Sequence, residues 1–118
     1  MAQVAKRKLS ASTDGKSITA AATASPGTTI HTATTSVVSG TWDEIWLYAA
    51  NLDPVDRILT IQLGGTATTD AITVTIPSLA GRFLVVDGAI LQNSAIVRAY
   101  CSVAANVVIT GYVNQITA

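Results

Sequence analysis

Any chemistry in this chain has to come from one histidine, one cysteine and seven carboxylate side chains. A nucleophilic triad would set His31 between a carboxylate and a serine or Cys101. The chain has no GxSxG turn to strain and expose a nucleophile, so catalysis through His31 is not expected. A lone imidazole in a threonine-rich strand is expected to be exposed or hydrogen-bonded. Zinc needs three or four ligands at short spacing, and one His and one Cys seventy positions apart do not supply them. Cys101 is expected to be a small core residue, and with no second cysteine there is no internal disulfide.

The carboxylates are more concentrated, because Asp43, Glu44, Asp53 and Asp56 fall within fourteen positions. Their spacing is not that of a calcium loop. On a strand, adjacent Asp43 and Glu44 point to opposite faces, which weakens any cation site shared by the two. Asp53 and Asp56 flank Pro54, where aspartate serves the backbone of a turn. No spacing suggests two carboxylates opposed across a sugar, as glycoside hydrolysis requires. Gly64-Gly65 lacks the Lys-Ser/Thr and the helix that complete a phosphate loop. The expectation is a protein that is not an enzyme, with no cofactor and no metal.

The elements that would hold these residues are short strands. β-branched runs recur at a spacing of about 8 to 12 residues between turn signals, with almost no helical periodicity. A first strand near 4–12 and a second near 16–22 would form a hairpin across Asp14-Gly15. Ser25-Pro26-Gly27 breaks the chain before a strand at 28–35, and strands follow at 43–51 and 57–63, joined through Asp53-Pro54. After a loop at 64–70, residues 71–76 alternate strictly, with Ile72, Val74 and Ile76 on one face. A run at 82–86 closes at Asp87-Gly88, and strands at 95–101 and 107–113 complete the set. Eight or nine short strands with no helical crossover predict an all-β, single antiparallel β-sandwich of jelly-roll-like type. Residues 1–15 form a basic N-terminal arm or first strand, and 16–118 the sandwich.

Composition narrows the partners. Charged residues are 12% of the chain against a usual share of about 25%, while hydrophobic residues are 49%. Little charge keeps neighbours apart, which suits burial in an assembly. Lys6, Arg7, Lys8 and Lys16 are four of seven basic residues, and they read either as a solvated, poorly ordered N-terminus or as an arm that docks on an acidic surface. The remainder offers only Arg57, Arg82 and Arg98 for a phosphate track, so nucleic acid is not an expected partner. No apolar run approaches the roughly 18 residues of a membrane helix, and Asp14 and Lys16 interrupt what a signal peptide would need.

The strand after Thr41 wants burial on both sides. Ile45, Leu47 and Ala49 share one face, and Trp46 and Tyr48 share the other. One core takes one face. The other is either covered by a loop or held for a partner, where amphipathic aromatics are enriched. Lys6, Arg7, Lys8, Trp42, Trp46 and Tyr48 are the candidate partner interface.

IHTAT from Ile30, DEIWLYAANLDPVDRILTIQLGG from Asp43, DAITVTIPSLAGRFLVVDGAILQNSAIVRAYCS from Asp70 and NVVITGYVNQI from Asn106 together resemble small tailed-phage virion proteins of the capsid decoration, or cement, type. The resemblance spans about 28–116 and rests on strand order, a D-E-[IV]-W strand, a Gly-Gly loop, a V-x-G-x-x-L-Q-N segment and a terminal G-Y-V-N strand. It implies a β-sandwich on the outer capsid surface that stabilises the head by bridging major capsid protein subunits. The implied partners are the major capsid protein and the chain itself, as a homotrimer or alternatively a homodimer. The implied location is the virion, after synthesis in the host cytoplasm. The alternative is a small virion fibre or tail module that binds a host-surface glycan through exposed Trp or Tyr.

Overall fold

A computed structural model describes residues 2–103 and 106–118; Met1, Ala104 and Ala105 lie outside the described residues. Nine strands run β1 Gln3–Lys8, β2 Ile18–Thr19, β3 Thr28–Thr32, β4 Trp42–Asn51, β5 Arg57–Leu63, β6 Ala71–Ile76, β7 Arg82–Leu91, β8 Ile96–Cys101 and β9 Val107–Thr117. Among the described residues one short helical turn occurs, a 3-10 turn at Thr68–Asp70. The strands form two antiparallel sheets. One has the order β1-β9-β4-β7, with β2 also on β9, and the other has the order β3-β8-β5-β6. From β3 onward every connection crosses between sheets except the β5–β6 hairpin. That alternation wraps the chain as a jelly roll, as its strand pattern leads one to expect.

Alternation explains which side chains enter. Along β4 the odd positions Asp43, Ile45, Leu47, Ala49 and Asn51 are buried, and the even positions are half-buried on the outer face. Ile45 and Leu47 meet Leu59, Ile61, Val97, Ile109 and Val113 between the sheets, all fully buried. Each such side chain contributes about 1.5–3 kcal/mol relative to exposure. Cys101 is a core residue, as expected. The accessible surface of 6111 Å² is close to the roughly 6,000 Å² of a compact monomer of this mass, so the molecule is not unusually open.

Two expectations are corrected. β1 and β2 do not form a hairpin: Gln3–Lys8 pairs with 112–117 of β9 and Ile18–Thr19 with 108–109, so the two lie end to end along one edge of β9. The Asp14-Gly15 turn exists, with both residues at positive φ and Lys16 N–H on Thr13 O at 2.9 Å. It turns the chain, and Leu9 and Ser12 sink into the interior between the two strands. Nor does Asp87-Gly88 end a strand. β7 continues to Leu91, and Gly88, at φ 92°, is an extra residue where the register shifts between Ile45/Ala89 and Trp46/Asp87. A bulge residue in the left-handed region is a place for glycine.

Candidate functional site

His31 and Asp43 meet, although their positions give no hint of it. His31 is buried, and its Nδ1 accepts the Ser10 N–H at 3.0 Å. The ring proton therefore sits on Nε2, which donates to Asp43 Oδ2 at 2.7 Å. Asp43 also accepts from Thr34 N–H at 3.2 Å and Gln115 Nε2 at 3.2 Å. Both ring nitrogens are engaged, and neither faces a hydroxyl or thiol. The arrangement ties the segment after β1 to β3, β4 and β9.

The expected opposition of Asp43 and Glu44 holds. Glu44 points outward, where its Oε1 accepts Trp46 Nε1 at 2.7 Å and Asn114 Nδ2 at 3.1 Å. These bonds, that from Trp46 foremost, hold its carboxyl below the usual range. Among the described residues no three His, Cys, Asp or Glu side chains converge as metal ligands.

Five of the six candidate interface residues share the outer face of the β1-β9-β4-β7 sheet. The register sets Lys8, Tyr112, Trp46 and Asp87 in one row, and Lys6, Asn114, Glu44 and Ile90 in the next. Trp42 lies one row beyond, beside Ile116 and Val4, and Tyr48 one row the other way, beside Leu84. Arg7 pairs with buried Val113 and so points to the opposite side of β1. Trp46 and Tyr112 are near parallel, 14° apart with centroids at 6.4 Å. Lys6 Nζ stands 4.3 Å from the Tyr112 centroid, and Arg82 lies 5.0 Å from that of Tyr48. These rings lend faces to the chain's own cations, each contact being worth about 0.5–1 kcal/mol at such exposure.

A second surface lies at one end of the sandwich, where β4–β5, β6–β7 and β8–β9 connect. Its scaffold is polar and rigid. Asn51, 1% exposed, donates through Nδ2 to Val55 O at 2.9 Å and Ile76 O at 3.0 Å, and its Oδ1 accepts Asp53 N–H at 2.9 Å. Asp53 accepts from Asn106 Nδ2 and from Arg57 Nε, the latter at 2.7 Å. Those two bonds, Asn106 first, hold the Asp53 carboxyl below the usual range. Ser78 donates its hydroxyl to Asp53 O and its N–H to Asp56 Oδ1 at 3.0 Å. Contrary to expectation, neither carboxylate bonds the backbone of its own turn: Asn51 holds that backbone, while Asp53 reaches the β8–β9 connection through Asn106 and Asp56 reaches the β6–β7 connection through the Ser78 N–H.

On this scaffold the apolar side chains point out. Leu79 is 68% exposed, Leu52 58%, Val55 50% and Val103 44%. Leu79 also sits at φ 53°, in the left-handed region that costs a branched residue about 1–2 kcal/mol. Its N–H is held on Asn51 O at 3.0 Å. Strain that presents an apolar side chain to water is of a kind that clusters at contact sites. Sequence reasoning missed this surface. The signal present was apolar residues inside turn segments, LDPV at Leu52 and SLAG at Ser78, which no strand periodicity accounts for.

No family model, curated protein or solved structure matches the chain.

Proposed function

We propose that the protein is a non-catalytic virion component that decorates the outer capsid surface and stabilises the head by bridging major capsid protein subunits. The observation that carries this reading is the loop end: Leu52, Val55, Leu79 and Val103 exposed on three connections that Asn51, Asp53 and Ser78 lace together. A solitary domain gains nothing from a strained, exposed leucine on a rigid support, whereas a protein that works by contact does. The jelly-roll wrap and the resemblance in 28–116 agree with it. Stabilisation by repeated contacts follows from multivalency, since rupture of the shell must break several at once.

The glycan-binding reading draws less support from the aromatic face. Tyr112 has Lys6 over its ring and Trp46 beside it, and Trp46 commits its indole N–H to Glu44. Of the rings on this face, Tyr112, Tyr48 and Trp46 are thus engaged within the chain, which leaves Trp42 to carry the glycan reading.

Leu79→Asn separates contact from folding, because asparagine tolerates the left-handed region and removes the apolar group. The variant is expected to unfold at the same or a higher temperature than the parent. Its retention on heads of the encoding virus that lack the protein, measured by co-sedimentation, is expected to fall at least about tenfold, as loss of a buried leucine implies. Undiminished retention would remove the loop end from the contact.

A further inference from the structure

The outer face of the β1-β9-β4-β7 sheet carries a charge pattern that none of its own ion pairs uses. Across the row at Trp46 the residues read Lys8, Tyr112, Trp46, Asp87: basic at one edge, two aromatics, acidic at the other. The adjacent row adds Lys6 on the basic side and Glu44 on the acidic half. Among the described residues the ion pairs are His31–Asp43 and Arg57–Asp53, so Lys6, Lys8, Glu44 and Asp87 meet no opposite charge there; Lys8 Nζ donates to Ser12 O at 2.9 Å, Lys6 stands over Tyr112, and Glu44 accepts from Trp46 and Asn114, all neutral partners. Around them lie exposed apolar side chains on the same face, Val4, Leu84 and Ile90.

Over the rows that β1 and β7 share, the surface is basic at one edge and acidic at the other and so complementary to itself; Arg82, also on the outer face of β7, lies two rows beyond the end of β1 and is held over Tyr48. A two-fold axis in the plane of the contact, parallel to the strands and between β9 and β4, sets β1 of one copy over β7 of the other. Lys8 then faces Asp87 of the second copy twice per pair, Trp46 faces Tyr112, and Lys6 stands over Ile90 beside Glu44. Self-matching of one patch is the requirement of a two-fold, isologous interface. A three-fold ring would need two different patches.

The extent is sufficient. Four strands at about 4.8 Å spacing and some eight residues of length give roughly 500 Å² of flat area per copy, hence about 1,000 Å² in the pair, near the lower bound of specific interfaces. Aligned face-to-face packing of twisted sheets is an ordinary way to fill such a contact.

We infer that this face joins two copies of the chain into a two-fold homodimer, a proposal that does not depend on the capsid reading. Light scattering on the purified full chain is expected to give the mass of a dimer at micromolar concentration. Lys8→Glu sets two carboxylate pairs against each other and Asp87→Lys two ammonium pairs, so each variant alone is expected to weaken the dimer at least about tenfold. The double variant, and a 1:1 mixture of the two single variants, are expected to dimerise again. Melting temperature and near-ultraviolet circular dichroism of each variant at high concentration report whether the fold survives. A parent monomer or trimer, or single variants that stay folded and dimeric, would overturn the proposal. Folded single variants whose mixture does not re-associate would do so equally.

Discussion

At Gly111 the backbone of β9 leaves no room for a side chain beside β4. A Cβ there would collide with Trp46 O and lie 3.1 Å from Leu47 Cα, both on a strand fixed between two neighbours. Gly111→Ala is therefore expected to lower unfolding free energy by about 3 kcal/mol in urea titration; a loss under roughly 1 kcal/mol would mean the strands separate easily. The GYVN sequence marks the strand but not this contact, because the constraint comes from the partner strand. Asp53 was legible as a turn residue and illegible as a hub, since Asn106 lies far along the chain. Its carboxyl is held below the ordinary value, so its stabilising contribution is complete above the usual aspartate range near pH 3.9 and fades as pH falls through and below that value. Asp53→Asn should consequently show a shallower fall of melting temperature below about pH 4 than the parent. Parallel acid limbs would show that the carboxyl charge does not contribute there.

Among the elements, the alternating segments were largely legible, although Ile72, expected on the core side of β6 with Val74 and Ile76, is 40% exposed. β5 and β6 fall where periodicity puts them, and β4 buries Ile45, Leu47 and Ala49 while Trp46 and Tyr48 stay outside. Sequence alone could not choose between those two faces, because both are apolar and the choice is made by which sheet stands opposite. Pairing was less legible than strand existence. The Asp14-Gly15 turn carries the right chemistry for a hairpin, yet the long β9 offers one edge to both β1 and β2. The Gly88 bulge was misread as an end because a glycine after an aspartate signals a turn and a bulge alike. β1 is exposed on both faces along its whole length, so it adds little to the core. A chain lacking residues 1–8 is expected to keep its β-sheet circular dichroism and to lose self-association, since Lys6 and Lys8 go with it. Collapse of the fold in that variant would instead make β1 a structural strand.

For the whole molecule, the low charge and high apolar content signalled burial against partners but not where. The structure puts part of that excess on a sheet face with a self-complementary charge pattern and part on a loop end with a strained, exposed leucine, and the rest at Val37 and Val38 between β3 and β4 and at Ile58 and Ile72 on β5 and β6. The sheet face and the loop end sit on different parts of the sandwich, so a pair joined through its sheets would leave both loop ends free for a shell. If the proposed capsid role is right, cryo-electron microscopy of intact particles of the virus that encodes the chain will show it. The expected result is repeated sandwich-sized density on the outer surface of the head, with the Leu52, Val55 and Leu79 end against the shell and lost when the gene is deleted. Particles that contain the protein nowhere on the outer head, or heads whose surface is unchanged by the deletion, would contradict it.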